Sequence, residues 1–162
     1  QVGKSCLIKR YCENRFQQKY VPTIGIDYGV KPVHIDQTET AVRVNFWDLA
    51  GPAHYRGLRA EFYEHAQGAM LVYDVADRTS FDALPAWLEE AADHGATPSI
   101  ALALVANKTD GGRRDVSEAE GRAYAKARGA SYHEVSAASG AGVSEMFESL
   151  FRAVCESSAR RR

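Results

Sequence analysis

Short apolar runs alternate along this chain with longer stretches whose apolar residues recur every three or four positions. Across residues 41–47, Val42, Val44 and Phe46 alternate with Arg43 and Asn45, and residues 30–35 carry a second alternating stretch. A period of two predicts half-buried strands, and the polar turn Asp36-Gln37-Thr38-Glu39 joins them as a hairpin. Residues 68–75 and 99–106 are near-continuous apolar runs, the pattern of parallel strands covered on both faces. Residues 131–135 read as a short last strand. Helical periodicity predicts helices over 4–13, 81–93, 117–128 and 143–156.

Several boundaries have local causes. Ser117 with Glu120 three residues on is a capping box, and Gly129 is placed to end that helix. Ser80 and Asp82 favour a start near Phe81, where Leu84, Trp87, Leu88 and Ala91 form the buried stripe. Pro85 lies inside this pattern, so the regular helix begins near it or its first turn is distorted. The order helix, strand, strand, strand, helix, strand, helix, strand, helix predicts a three-layer α/β sandwich.

Gln1-Val2-Gly3-Lys4-Ser5 changes this picture at its start. A phosphate-binding loop reads G-x-x-x-x-G-K-S/T, and Gly3-Lys4-Ser5 is its second half. Its first glycine and the strand before it would precede Gln1, so the chain is expected to be a truncated sequence. Such loops sit at the switch point of α/β sheets, so the absent strand would be the central, first one. The sheet is then expected to have a gap there; third and fourth strands hydrogen-bonded to each other would contradict this.

The 162 residues, 45% hydrophobic and 25% charged, suffice for one globular domain with a core of its own and exclude a collagen or a disordered tail. Twenty basic residues against 21 acidic ones give a net charge of −1, with no general pull toward nucleic acid or an anionic membrane. No apolar run approaches the ~20 residues of a spanning helix. Cys6, Cys12 and Cys155 are too few and scattered for a disulfide framework or a zinc site, and point to a reducing cytosol. The end, Ser157 to Arg162, is a short basic tail without a C-a-a-X box, and no lipid anchor is expected; Cys155 reads as a core residue. Arg160-Arg161-Arg162 reads as a solvated terminus.

Four stretches carry chemistry. At Gly3-Lys4-Ser5, N–H groups at a helix start face phosphate oxygens, Lys4 reaches the β- and γ-phosphates, and Ser5 Oγ binds Mg²⁺. Asp48-Leu49-Ala50-Gly51 follows the second hairpin strand. Its carboxylate is placed to hold a metal-bound water near Ser5, and Gly51 lets a backbone N–H approach the γ-phosphate; a simple turn is the alternative. Asn107-Lys108-Thr109-Asp110 follows an apolar strand. A buried Asp110 carboxylate accepts from the ring N–H and amino group of guanine, a donor pair that adenine lacks. In Val135-Ser136-Ala137, the Ala137 N–H meets the guanine carbonyl oxygen. Each signal is weak or moderate alone; their order and separations make them strong together.

These residues resemble the Ras superfamily of small GTPases over essentially the whole length, and its Rab-like branch most. Tyr20 to Tyr28 is similar to a Rab-type first switch, which implies that Thr23 binds Mg²⁺ through its hydroxyl and the γ-phosphate through its backbone. Phe16 stands where family members stack an aromatic ring on guanine. Tyr28, Trp47 and Phe62 match the triad that Rab proteins present to effectors. Lys9 to Glu13, Ile24 to Val30 and Ser80 to Leu84 resemble the Rab/J-like, DnaJ-associated subfamily. The resemblance implies a P-loop G domain over 1–156, with GTP or GDP and Mg²⁺ as cofactors. Nucleotide contacts are expected from Gly3, Lys4, Ser5, Cys6, Phe16, Thr23, Gly51, Asn107, Lys108, Asp110, Ser136 and Ala137. Lys4, Thr23 and Gly51 are the expected catalytic positions, and Ser5, Thr23 and, through water, Asp48 the metal-binding ones. An effector, an exchange factor and a GAP are the implied partners, in the cytoplasm, with the nucleus or ciliary base suggested by analogy alone.

Three positions depart from the pattern. Pro52 stands where the family places a Gln that orients the attacking water; proline has neither N–H nor polar side chain. Slow hydrolysis is therefore expected, with His54 as a possible substitute that reads more simply as a solvated loop residue. Gln1 replaces a small residue, and Ala138 a Lys. A nucleotide-dependent scaffold with essentially no turnover is the competing reading. A P-loop kinase or ATPase for small substrates fails on Asp110 and on the want of an arginine-rich lid segment.

Overall fold

The computed structural model describes residues 1–35 and 41–159. The turn read at Asp36-Gln37-Thr38-Glu39 and the arginines 160–162 lie outside the described residues. Helix α1 (Lys4–Glu13) leads to β1 (Ile26–His34) and β2 (Ala41–Leu49), a short 3-10 turn at Ala53–Tyr55 and α2 (Arg56–Tyr63). Strand β3 (Gly68–Asp74), α3 (Arg78–Asp82), α4 (Leu84–Asp93), β4 (Ala101–Asn107), α5 (Glu118–Ala127), β5 (Ser131–Glu134) and α6 (Val143–Ala159) follow.

β1 and β2 form an antiparallel pair that sets Tyr28 opposite Trp47 and Ile26 opposite Leu49. β3, β4 and β5 form a separate parallel sheet in that order. With the absent strand counted as the first, the third and fourth strands are β2 and β3; among the described residues these are not hydrogen-bonded to each other, so the expected gap in the sheet is present. Alternation along β4 builds the layers on either side. Ala103 and Val105 face a cluster with Leu7, Met146, Phe147 and Leu150 from α1 and α6. Leu104 and Ala106 face Tyr73, Phe81, Leu84 and Ala125 on the other side. Complete burial of a side chain such as Phe147 contributes about 1.5–3 kcal/mol. This is the α/β sandwich that the patterning predicts.

Several elements differ from the sequence reading, and α6 runs through Ala159, beyond the expected end at 156 and into the residues read as a tail. β1 starts at Ile26, not at 30, because its pairing with β2 continues through residues that do not alternate cleanly. β2 runs on through Leu49, so Asp48 belongs to the strand instead of following it. Helix α2 has no counterpart in the prediction. The helix expected over 81–93 is two helices, since Pro85 sits in the first turn of α4, while α3 begins earlier with Asp77 accepting from the Thr79 N–H.

At α5, Ser117 and Glu120 make the reciprocal capping box. Ser117→Ala is expected to cost about 1 kcal/mol, lowering the thermal midpoint by roughly 2–4 °C; an unchanged melting curve would contradict that role.

Candidate functional site

The site forms where α1, the ends of β2 and β4, and the loop after β5 meet. Gly3 adopts φ 95°, and a Cβ there would stand 2.5 Å from Asn107 Nδ2, so only glycine lets the two segments pass. Asn107, itself buried, donates from Nδ2 to the Val2 carbonyl at 2.8 Å and accepts the Ala137 N–H at Oδ1 at 3.1 Å. Lys108 donates to the Gln1 carbonyl at 3.1 Å and pairs with Asp74 at 2.6 Å. One short loop thus fastens the phosphate-loop residues to the last loop of the fold.

Two expectations change here. The Ala137 N–H is engaged by Asn107, so it offers a shared donor, not a vacant one. Asp110 is exposed instead of buried, with Oδ1 accepting from Ser136 Oγ at 2.6 Å. The Ser136 hydroxyl also accepts the Ser139 N–H at 2.9 Å, which fixes the direction in which it donates.

Ser5, Thr23 and Asp48 come together although they are far apart in sequence. Ser5 Oγ donates to Asp48 Oδ2 and lies 2.9 Å from Thr23 Oγ1, which donates to the same carboxylate oxygen at 3.2 Å. Asp48 is 5% exposed, and its Oδ1 is buried without a hydrogen-bond partner. A bare carboxylate oxygen in that setting is costly unless a cation or a donor meets it. One carboxylate and two hydroxyls are hard oxygen donors that fit Mg²⁺ completed by water and phosphate. Among the described residues no group of three or more His, Cys, Asp or Glu side chains is placed to hold a metal ion.

Lys4 stands half-buried beside this group. Burial pushes its ammonium below the ordinary lysine value; Asp48 opposes that shift and Arg59 adds to it. Cys6 packs against the core cluster around Leu7. Gly51 is exposed, and a Cβ there would meet nothing within 4 Å, so the fold leaves open space in front of it. Phe16 is exposed at 39% beyond the end of α1. His54 lies against Tyr55, with ring centroids 4.1 Å apart.

Two arginines escaped the sequence reading. Arg10 donates to the carbonyls of Ala137 at 2.9 Å and Ala138 at 2.6 Å, tying α1 to the last loop. Arg59, 2% exposed, donates to the carbonyls of Ala50 and Pro52 and pairs with Glu90 of α4. The only local signal for Arg10 is a basic residue in the last turn of a helix. For Arg59 there was none, since α2 itself was not predicted.

The phosphate-loop glycine, the oxygen triad and the Asn107 anchor define a P-loop nucleotide-binding domain. The Ras family pattern matches residues 1–156, and the chain belongs to that family of small GTPases. It is 46% identical over 169 residues to DnaJ homolog subfamily C member 27 of Homo sapiens, covering 99% of this chain and 61% of that protein. The Gallus gallus protein of the same name is 47% identical over 161 residues, covering 96% and 58%. That of Danio rerio is 47% identical over 169 residues, covering 99% and 61%. The chain thus spans about three fifths of the length of these relatives. The likeness to a Rab-like, DnaJ-associated subfamily is met, and guanine-nucleotide binding follows from the family.

Proposed function

We propose that this chain is a GTP/GDP switch that binds its nucleotide with Mg²⁺ and hydrolyses GTP slowly. The observation that carries the reading is the convergence of the Ser5 and Thr23 hydroxyls on Oδ2 of Asp48, whose buried Oδ1 has no partner, beside Lys4. Lys4 places its charge on the β- and γ-phosphates, and Ser5 and Thr23 direct hydroxyl oxygens toward the cation, with Asp48 acting through water. When bound, Mg²⁺ neutralises charge that develops on the phosphate oxygens. The Gly51 N–H donates to the γ-phosphate. Asp110 accepts from the guanine edge, Ser136 orients that carboxylate, Ala137 shares its N–H with the base carbonyl, and Phe16 covers the base face.

Pro52 supplies nothing to orient water, and His54 is packed on Tyr55. Pro52→Gln is expected to raise the single-turnover GTP hydrolysis rate about tenfold, the barrier change of one well-oriented hydrogen bond. A rate unchanged within twofold would show that the proline is not what limits hydrolysis. Mostly GTP in the freshly purified protein accords with slow turnover; mostly GDP opposes it. Pro52 also favours a second reading, a nucleotide-dependent scaffold with essentially no turnover, and absence of product from both proteins would select it.

Partners are proposed at Tyr28, Trp47 and Phe62. Their ring centroids are 4.5 and 4.8 Å apart in one continuous strip, with Tyr28 and Trp47 about half exposed. An effector reading this strip together with the switch segments, an exchange factor and a GAP are the proposed regulators. A reducing cytoplasm suits three free thiols.

A further inference from the structure

Arg59 is a charged side chain with no solvent to hold it. Its Nη1 donates to the carbonyls of Ala50 and Pro52, each at 2.9 Å, and lies 3.4 Å from that of Gly51. On its other side Nε and Nη2 grip Glu90 through both carboxylate oxygens at 2.8 and 2.9 Å. Tyr63, one helical turn on, donates to the same carboxylate at 2.7 Å, and the guanidinium lies over the Trp87 ring at 4.9 Å. The bidentate fork consumes the charge of Arg59 against Glu90, so what it offers the loop is direction.

That direction reaches the phosphate site through a peptide plane. The Ala50 carbonyl and the Gly51 N–H belong to one trans peptide unit and point opposite ways. Holding the carbonyl toward the Arg59 guanidinium therefore aims the N–H away from it. The Ala50 N–H donates to the Gly25 carbonyl at 3.0 Å, which anchors the preceding plane as well. Pro52, at φ −55° and ψ 142°, keeps Gly51 out of the helical region. None of these bonds uses a ligand.

We propose that Arg59, held by Glu90, is a positioning residue for γ-phosphate recognition, setting the Gly51 N–H through the Ala50 carbonyl before nucleotide arrives. The inference rests on the GTP/GDP reading above. It makes Arg59 a determinant of the choice between triphosphate and diphosphate, with the other nucleotide contacts left intact.

The test is the ratio of GTPγS to GDP dissociation constants, measured with Mg²⁺ for wild type, Arg59→Ala and Arg59→Lys. Arg59→Ala is expected to raise the ratio about tenfold while the GDP value stays within about threefold. Arg59→Lys keeps a charge but no fork, and is expected to fall between. A role in stability alone would move both constants together and leave the ratio unchanged, which would overturn the proposal. Should Arg59→Ala fail to fold, an unchanged ratio in Arg59→Lys overturns it equally. Wild-type protein that binds neither nucleotide would overturn the functional reading itself, and the proposal with it.

Discussion

Asp110→Asn is expected to weaken GDP binding by about 10²–10⁴-fold. Two hydrogen bonds from guanine to a charged acceptor contribute roughly 1.5–3 kcal/mol each, and 1.4 kcal/mol is tenfold. The loss is directional. Ser136 Oγ donates to Oδ1, so in the variant the amide oxygen turns toward Ser136 and the amino group faces the base, donor against donor. Xanthine carries a carbonyl where guanine carries the amino group, and xanthosine diphosphate is expected to gain affinity for the same variant. Because Asp110 is exposed and the Asn107 anchor is untouched, the melting temperature of the nucleotide-free variant should stay within about 2 °C of wild type. Competition titrations with the two diphosphates check both halves. A GDP affinity retained within tenfold would remove Asp110 from base recognition.

Glu90→Ala is the second large effect, on stability. Removing one partner of a buried ion pair costs about 3–5 kcal/mol, because the other charge remains uncompensated. Arg59 is 2% and Glu90 11% exposed, so solvent does little to relieve it. In a chain of this size 1 kcal/mol moves the midpoint about 2–4 °C, so a fall on the order of 10 °C is expected in a thermal melt. The effect is pH-dependent. The hydrogen bond from Arg59 holds the Glu90 carboxyl below its ordinary value of 4.5, aided by Tyr63 and opposed by burial. A depressed carboxyl stabilises above its unfolded value, and that stability is lost as pH falls through the folded one. The gap between wild type and variant should therefore be full near neutrality and shrink below about pH 4.5. A gap that is small at pH 7, or that widens in acid, would show that the pair is not what holds α2 against α4.

The Arg10 grip on the last loop and the Arg59 grip on Ala50 and Pro52 are built alike. Each takes a guanidinium from a helix and sets it on carbonyls of a loop that the proposed function assigns to the nucleotide. In both cases the loop motif was legible beforehand and the support was not. Gly3-Lys4-Ser5, Asp48 to Gly51, Asn107 to Asp110 and Ser136-Ala137 announce themselves because each needs certain residue types at short, set spacings. Asp110 shows the limit of that approach: its identity could be read, but its exposure could not. The Ala137 N–H is similar, since a backbone donor carries no sequence mark of the acceptor that engages it.

Sequence alone determined the class of fold, most element positions and the motif residues on which the proposed nucleotide site rests, because periodicity, caps and turn glycines act over a few neighbouring positions. It also marked Pro52 as a departure from the family pattern, and the proposal of slow hydrolysis rests on it. The tertiary structure decided the rest: the Ser5–Thr23–Asp48 oxygen cluster, helix α2, and the arginine supports. Arg59 meets Glu90 across 31 positions and Arg10 meets Ala137 across 127. Such partners are chosen by which helices pack together and by the need of a buried charge for its counter-charge, and no local pattern encodes either.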